Sequence, residues 1–262
     1  MIPKALILDI DGTLVDTVRH SVSDKTLKLI NTLKKSGVTV IIASGRTDFA
    51  ASPRILNGLA ADYYVCVNGS HVTDGNGKII YEDRFSIGQL TALWKFCESE
   101  GFPVAFSFED AYYAYVKFRE FRDYYRRNTG HASFILDGEN HLRHLESLPF
   151  GAFACIDPLY VTRFSAEVPD LRLVPFKPGN YDVYKITTSK AHGIEQLLRK
   201  LHLNWDEVVA IGDSLNDMEM IQAAGIGVVM GNGHEDLKKS ADFITKTVNQ
   251  DGVAYAIEQI FQ

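Results

Sequence analysis

Two carboxylates stand one residue apart near the start of the chain, in the stretch Asp9-Ile10-Asp11-Gly12-Thr13. They follow four apolar residues, 5–8, which predict a strand buried on both faces. Because residues i and i+2 of a strand point to the same side, Asp9 and Asp11 can converge on one ligand where the chain leaves the sheet. Carboxylates this close repel each other unless a cation or a shared proton lies between them. Taken alone, the pair also fits an ordinary acidic turn after a buried strand.

Other polar groups follow predicted strands or begin a predicted helix. They are Ser44-Gly45 after strand 38–43, Lys190 at a helix start, and Asp213, Asn216 and Asp217 after strand 208–211. A lysine in the first turn of a helix faces the positive end of the helix dipole, and a nearby anion removes that cost. A third carboxylate beside the first two favours a site for a hard cation. Taken singly, Ser44 also fits a helix cap and Lys190 a surface lysine.

The segments that must position these groups alternate between strand and helix patterns. Predicted strands at 5–8, 38–43 and 63–67 are separated by helical segments, the second of them interrupted at Pro53. The same alternation resumes from Val183. The pattern predicts an α/β fold with a doubly wound parallel sheet and right-handed crossovers. Ligands of such sheets bind at the carboxyl ends of the strands, where the polar groups fall.

The middle of the chain breaks this alternation. A hairpin is predicted around 74–77, and an aromatic-rich region with adjacent strands follows it, which favours an antiparallel α+β module. About a hundred residues are enough for a separate domain. We therefore predict a core built from 1–83 and 184–262, with an inserted α+β cap domain at 84–183.

Composition limits the classes of function. The chain has 262 residues, 46% of them hydrophobic and 23% charged, which is typical of a soluble globular protein. A net charge of −6 argues against a nucleic-acid partner. No apolar run approaches the roughly 20 residues that span a bilayer, and no secretory signal pattern is present. Three scattered cysteines predict buried free thiols in a reducing compartment, so we predict a cytoplasmic protein with no membrane partner.

Together the polar groups resemble the motifs of the haloacid dehalogenase (HAD) superfamily of phosphotransferases. The matching stretches are Asp9-Ile10-Asp11-Gly12-Thr13, Ser44-Gly45-Arg46, Lys190 and Gly212-Asp213-Ser214-Leu215-Asn216-Asp217. The later part of the chain, including Met230-Gly231-Asn232-Gly233 and Asp251-Gly252-Val253, is similar to the Cof-type subgroup. The resemblance implies a Rossmann-like core with a cap inserted after the third core strand. Gly233 departs from the usual alanine, and Ser189-Lys190-Ala191 replaces a more usual lysine-glycine pair.

The resemblance implies a Mg²⁺-dependent phosphatase that hydrolyses small phosphate monoesters, such as sugar phosphates, through an aspartyl-phosphate. Asp9 would attack phosphorus, and Asp11 would protonate the leaving alcohol and later activate water. Magnesium would be bound by Asp9, the Asp11 carbonyl and Asp213, with Thr13 and Asp217 supporting these ligands. The phosphoryl oxygens would be held by Ser44, the amides of Ile10 and Gly45, Lys190 and Asn216.

Two residues are candidates for choosing the substrate. Arg46 would lie near the mouth of the site, and its alternative is a surface residue. Tyr113 follows Glu109-Asp110 in the aromatic part of the insertion, where it could stack on a sugar ring. Such aromatic clusters are more often core packing.

Two alternative functions use related chemistry. A receiver-type signalling module also combines acidic residues, a phospho-accepting aspartate, a lysine and Mg²⁺. Its acceptor follows a later strand, and its acidic pair lacks the Gly12-Thr13 continuation. A phosphosugar mutase would share nearly the whole core, but it needs a bisphosphate activator and releases no free phosphate. The sequence leaves the identity of the phosphorylated substrate open.

Overall fold

The chain forms two compact units. The computed structural model describes residues 3–15, 21–51, 56–129 and 132–261, so Pro53, the predicted helix interruption, lies outside the described residues. One unit, the core, consists of Met1–Glu82 and Ser189–Gln262. The other, the cap, consists of Asp83–Thr188.

The regular elements are numbered along the chain. The strands are β1 (Ala5–Leu8), β2 (Thr39–Ala43), β3 (Tyr63–Cys66), β4 (His71–Asp74), β5 (Ile79–Glu82), β6 (Val104–Ser107), β7 (Tyr112–Val116), β8 (Ile135–Asp137), β9 (Gly151–Cys155), β10 (Leu171–Lys177), β11 (Asn180–Lys185), β12 (Val208–Gly212), β13 (Ile226–Val229) and β14 (Phe243–Ile244). The α-helices are α1 (Asp24–Lys35), α2 (Ile87–Glu100), α3 (Phe118–Thr129), α4 (Val161–Glu167), α5 (Lys190–Leu201), α6 (Met218–Ala223), α7 (Glu235–Lys238) and α8 (Gly252–Ile260).

The core sheet has the predicted doubly wound, parallel form. Among the described residues its strand order is β14-β13-β12-β1-β2-β3-β4-β5. The strands from β14 to β3 pair in parallel, and β4 and β5 add an antiparallel hairpin at one edge. Strand β1 lies between β2 and β12, and all four of its residues are fully buried. The carboxyl end of β1 therefore lies in the interior of the sheet, with a strand end on either side of it.

Helices cover the core sheet because its strands are apolar on both faces. Ala5 and Ile7 of β1 pack in a cluster with Ile194 of α5 and with side chains of α6 and α7. Leu6 and Leu8 point to the opposite face, as alternation along a strand requires. Helix α1 contacts β2 and α8. Strand β1 is therefore buried within the core unit.

The cap is a second sheet with its own apolar core. Its strand order is β10-β11-β9-β6-β7-β8 within the described residues, and every neighbouring pair is antiparallel except β7 with β8. The sequence predicts that the chain returns to the core at residue 184. The structure differs, since β11 runs to Lys185 and pairs with both β9 and β10. The apolar residues of β11 complete the cap sheet.

Most of the cap aromatics are packing residues. Phe106, Tyr115 and Phe164 are buried in one cluster with α2, and Phe121 of α3 packs against Phe153 in another. No helix in the part of the chain that the structure describes is both long and apolar enough to cross a bilayer.

Candidate active site

The polar groups predicted from the sequence lie at the carboxyl ends of neighbouring core strands. In the parallel pairing, Leu8 of β1 is level with Ile42 of β2 and Ile211 of β12. The residues that follow these strands therefore emerge at the same edge of the sheet. Asp9 comes directly after β1, and its amide donates to the Ile211 carbonyl at 3.0 Å.

Lys190 is buried at the start of α5 and bridges two carboxylates. Ser189 caps the helix by accepting a hydrogen bond from the His192 amide, so Lys190 occupies its first turn. Its side chain is inaccessible to solvent. Its Nζ donates to Asp9 Oδ1 at 2.5 Å and to Asp217 Oδ1 at 2.6 Å. The predicted anion near this helix start is thus a pair of aspartates.

Asp217 uses both of its carboxylate oxygens inside the protein. Oδ1 accepts from Lys190, while Oδ2 accepts from the amides of Asp213 and Ser214 at 3.0 and 3.1 Å. A side chain at Gly212 would collide with Asp217, because its Cβ would lie 2.6 Å from Asp217 Cγ. Asp217 therefore positions Lys190 and the turn that carries Asp213.

The buried carboxylates are strongly perturbed. Burial raises the pKa of Asp9 well above its ordinary value, with Lys190 opposing this and Asp217 adding to it. Burial also raises the pKa of Asp213 to about 7, reinforced by the charge of Asp217. Burial disfavours the charge of Lys190, but Asp217 and Asp9 outweigh it and raise the pKa of the ammonium. The site thus holds more negative charge than Lys190 neutralises.

A divalent cation fits this donor set. Ligand atoms of Asp9, Asp213 and Asp217 all lie within 4.8 Å of one another. Carboxylate oxygens are the ligands that Mg²⁺ prefers. Thr13 Oγ1 lies 3.4 Å from Asp213 Oδ1, as expected of a group that supports a ligand. Gly12 leaves room for this approach, since a Cβ there would lie 2.1 Å from Asp213 Oδ2.

The predicted phosphate-binding amides are available. Within the described residues, the backbone N–H groups of Ile10 and Gly45 donate no hydrogen bond. Ile10 is fully buried, and an unbonded buried amide is costly unless a ligand satisfies it. Ser44 is also buried, and its Oγ accepts from the Arg46 amide at 3.1 Å, which leaves its hydroxyl hydrogen for another partner.

Comparison with known proteins decides the family. A sequence profile of haloacid dehalogenase-like hydrolases matches residues 6–257. The chain belongs to this family. The predicted HAD superfamily and Cof-type subgroup are thereby confirmed, and the protein is a HAD-type phosphatase, a phosphoric monoester hydrolase.

Several full-length relatives carry phosphatase names. The chain is 32% identical over 266 residues to "Putative phosphatase YkrA" of Bacillus subtilis (strain 168), covering 98% of this chain and 97% of that protein. It is 28% identical over 257 residues to 5-amino-6-(5-phospho-D-ribitylamino)uracil phosphatase YcsE of the same organism, covering 97% and 94%. A crystal structure of a hypothetical protein from Geobacillus kaustophilus HTA426 superimposes with a TM-score of 0.86 at 30% identity, covering 98% of each chain.

Arg46 of this HAD-type phosphatase binds Asp11, the predicted acid, directly. Its Nε lies 2.8 Å from Asp11 Oδ2 and its Nη2 lies 2.6 Å from Oδ1, the two-pronged geometry that suits a carboxylate. Nη1 donates to the Ala50 carbonyl at 3.1 Å. The Asp11 side chain is 62% exposed, so it lies at the open side of the site. The sequence placed Arg46 near the mouth of the site but gave no sign of this ion pair.

Two asparagines that the sequence does not assign to the site, Asn68 and Asn232, contact its residues. Asn68 Oδ1 accepts from Asn216 Nδ2 at 3.0 Å. Asn232 Nδ2 donates to the Gly12 carbonyl at 2.8 Å, while its Oδ1 accepts from the Val248 amide at 2.8 Å. Both asparagines stand next to glycines, in Asn68-Gly69 and Gly231-Asn232-Gly233. Those turn signatures were the available signal, but they predict a turn and not what its side chain contacts.

Tyr113 lies in a charged network of the cap. Its hydroxyl donates to Asp110 Oδ2 at 2.7 Å, and the Arg143 guanidinium lies 5.4 Å from its ring centroid. Its ring also packs edge-on against Phe108. Both predictions for Tyr113 thus remain relevant, because the side chain is packed yet only half-buried.

Proposed function

We propose that this phosphatase hydrolyses small phosphate monoesters with Mg²⁺ as cofactor and Asp9 as the nucleophile. The observation that carries the proposal is the arrangement of Lys190 between Asp9 and Asp217, with Asp213 beside them. One ammonium against three carboxylates is an unbalanced charge that a structural cluster would avoid. A divalent cation and a transferable phosphoryl group together make this arrangement balanced and useful.

The residues that would hold magnesium are Asp9, the backbone carbonyl of Asp11 and Asp213. When bound, the ion would offset the electrostatic repulsion between a phosphate dianion and these carboxylates. Thr13 and Asp217 would keep the ligands in place. Asp217 itself is less suited to direct binding, since both of its oxygens already accept hydrogen bonds.

The reaction would proceed in two displacements at phosphorus. An Asp9 carboxylate oxygen attacks, the bond from phosphorus to the leaving oxygen breaks, and the protonated form of Asp11, separated from Arg46, gives that oxygen its proton. Asp11 then accepts a proton from water, whose oxygen attacks phosphorus and releases the Asp9 carboxylate. Lys190 fixes Oδ1 of Asp9, and within the described residues no hydrogen bond reaches Oδ2. Oδ2 is thus the oxygen left for attack.

The phosphoryl oxygens would be held by donors with unused hydrogens. The amides of Ile10 and Gly45 and the Ser44 hydroxyl were described above. Lys190 has three Nζ hydrogens, two of which are bonded to aspartates. Asn216 Nδ2 uses one of its two hydrogens on Asn68. Donors placed in advance stabilise the charge that develops in the transition state.

The cap would choose the substrate. The relative YcsE is named for a phosphorylated ribitylamino compound, which supports a small phosphorylated metabolite here. Every residue assigned to phosphoryl transfer belongs to the core, so we place leaving-group selection in the inserted cap, first predicted as 84–183. Tyr113 is our candidate for this selection within the cap, and Arg46, a core residue bound to Asp11, is our candidate outside it. The free cysteines support the expected cytoplasmic location.

The test is phosphate release from a panel of phosphate monoesters. We expect turnover of a generic aryl phosphate and of some sugar phosphates near neutral pH, and its loss when a chelator removes Mg²⁺. Re-addition of Mg²⁺ should restore it. Full activity in excess chelator would contradict the metal assignment, and conversion of a sugar phosphate to its isomer without phosphate release would instead indicate a mutase.

A further inference from the structure

A strained turn follows β3 and lies beside the site. Val67, Asn68 and Gly69 have φ angles of 50°, 49° and 102°, so three consecutive residues are left-handed. This conformation is sterically unfavourable for a residue with a side chain, and it is an outlier for a β-branched residue such as Val67. All three residues are buried. Such strain persists where surrounding structure imposes it, and it is concentrated at functional sites.

The turn is bonded to the loop that carries Ser44 and Gly45. The Val67 amide donates to the Arg46 carbonyl at 2.9 Å, and the Asn68 amide donates to the Ser44 carbonyl at 3.0 Å. The imidazole of His71, just beyond the turn, pairs with the Asp48 carboxylate. The two loops that leave β2 and β3 therefore form one unit.

The same turn packs against the start of α5. A Cβ at Gly69 would lie 2.1 Å from the Ser189 carbonyl oxygen, and one at Gly193 would lie 2.6 Å from Gly69 Cα. This close approach requires both glycines. It brings the turn next to the helix start that carries Lys190.

The Asn68 side chain connects the turn to Asn216. Asn68 is only 3% exposed, and its Oδ1 accepts from Asn216 Nδ2. On the other side, Ser214 Oγ donates to Asn216 Oδ1 at 2.8 Å. These two bonds fix which way the Asn216 amide faces and leave one Nδ2 hydrogen over. Within the described residues, Asn68 Nδ2 itself donates no hydrogen bond. It lies close to Gly45, since a Cβ added to that glycine would be 3.3 Å from Asn68 Nδ2.

We propose that Asn68 is a positioning residue for phosphoryl transfer. The proposal rests on the proposed function. Asn68 holds the Asn216 amide so that its second Nδ2 hydrogen meets a phosphoryl oxygen, and the strained turn ties this amide to the Ser44-Gly45 loop. The backbone strain is the cost of placing one buried acceptor between two phosphate-binding segments.

If Asn68 only stabilised the turn, Asn68→Gly would affect activity no more than a comparable substitution in another left-handed turn. Asparagine is favoured in left-handed turns whatever its side chain contacts. Substitution by alanine would mix the loss of the side chain with backbone strain. Glycine keeps the left-handed backbone accessible, so Asn68→Gly removes the side chain alone. The chain also offers a matched control, Asn57→Gly, because Asn57 is left-handed (φ 52°) and its side chain bonds the Val22 carbonyl.

The experiment is a double-mutant cycle between Asn68→Gly and Asn216→Ala on the full-length chain with Mg²⁺. We would measure kcat and KM on a generic aryl phosphate, and the inhibition constant and thermal stabilisation produced by inorganic phosphate. We expect Asn216→Ala to lower kcat/KM about 10- to 100-fold, the value of a hydrogen bond to a charged group. Asn68→Gly should lower it about tenfold and weaken phosphate binding. The kcat/KM of the double variant should lie within about threefold of that of Asn216→Ala, since both substitutions remove the same contact.

Two outcomes would overturn the proposal. One is a cycle in which the two losses multiply, and the other is an Asn68→Gly effect no larger than that of Asn57→Gly. A wild-type chain that binds phosphate but releases none from any ester would contradict the proposed function alone. The phosphate-binding cycle would then still decide the role of Asn68.

Discussion

Two lysines show how differently the core and the cap use charge. Lys190 in the core is inaccessible to solvent and contacts two carboxylates, with Asp213 close by. Among the described residues, Lys185 in the cap pairs only with Asp83, whose second oxygen lies 3.5 Å from Thr188 Oγ1. The cap pair is balanced in charge, whereas the core cluster is not. An unbalanced buried cluster needs a ligand, and a balanced pair needs none.

Two clusters of carboxylates, one around Lys190 in the core and one around Arg143 in the cap, have pKa values shifted in opposite directions. Burial raises the pKa of Asp9 and of Asp213 in the core. In the cap, burial of Asp110 is outweighed by hydrogen bonds from Tyr113 and Arg143, so its pKa is lowered. The pKa of Glu109 is lowered in the same way, with Arg84 among the causes. Asp110 and Glu109 are therefore held as satisfied ions, whereas Asp9 and Asp213 are acids that a cation would stabilise.

The largest expected loss of activity is that of Lys190→Met, compared with Lys185→Met as its counterpart in the cap. Lys190→Met should lower kcat/KM about a thousandfold on every substrate, because it removes both the partner of Asp9 and a phosphate donor. Lys185→Met should stay within about tenfold of wild type on a minimal aryl phosphate. Steady-state kinetics would measure both, with circular dichroism to verify folding. Similar losses in the two variants would contradict the distinction between core and cap.

A second expectation concerns the leaving group. Asp11→Asn should lower kcat on alkyl phosphates about a hundredfold, since an alkoxide leaves poorly without a proton donor. Aryl phosphates, whose leaving groups need less protonation, should lose about tenfold. The measurement is kcat across a series of leaving groups of different pKa. An equal loss on aryl and alkyl esters would argue against Asp11 as the general acid.

A smaller effect is expected for the cap aromatic Tyr113. Tyr113→Ala should change the ranking of alkyl phosphates while turnover of a minimal aryl phosphate stays within about tenfold, because no phosphoryl contact is lost. Tyr113→Phe keeps the ring near Arg143 and removes only the hydroxyl, which bonds Asp110 and interacts with Arg143, so it is the matched control. An unchanged ranking in Tyr113→Ala would remove Tyr113 from substrate selection.

The smallest effect on activity is expected at Asp182 in β11. Burial raises the pKa of Asp182 from 3.8 to about 7, against a hydrogen bond from Tyr184. Between these values the folded state binds a proton that the unfolded chain has lost, so stability falls as the pH rises from 4 to 7. Asp182→Asn should therefore raise the free energy of unfolding by about 1–3 kcal/mol at pH 8 and by little at pH 4.

Denaturant unfolding at both pH values, with kcat measured at pH 8, would test this. The control is Asp170→Asn, at an exposed position. A gain in stability that is equal at pH 4 and pH 8 would contradict the assigned pKa, and a large loss of kcat would place Asp182 in the chemistry.

The core was predictable because its signals are local and repeated. The short apolar run 5–8 favours a buried strand, and the polar ends of parallel strands meet at one edge by geometry. Contacts that join distant segments were not predictable. The Arg46–Asp11 ion pair and the Asn68–Asn216 bond depend on loop conformations that no periodicity encodes.

The cap was less predictable for a physical reason. Its aromatic and β-branched residues fit either packing or ligand contact, and only the fold shows that Tyr115 and Phe121 are buried. The sequence predicts that the apolar residues from Val183 onward belong to the returning core, because an apolar strand looks the same in either sheet. Pairing with β9 and β10, which the sequence does not show, decides the matter.

The central claim is that Asp9 carries the phosphoryl group, and acid-quenched enzyme tests it most directly. Wild-type protein mixed with Mg²⁺ and a phosphate-labelled substrate would be quenched within one turnover, digested and analysed by mass spectrometry. The account predicts one phosphoryl group on the peptide that contains Asp9, with no label in Asp9→Asn. Label on another residue, or hydrolysis by Asp9→Asn at the wild-type rate, would contradict it.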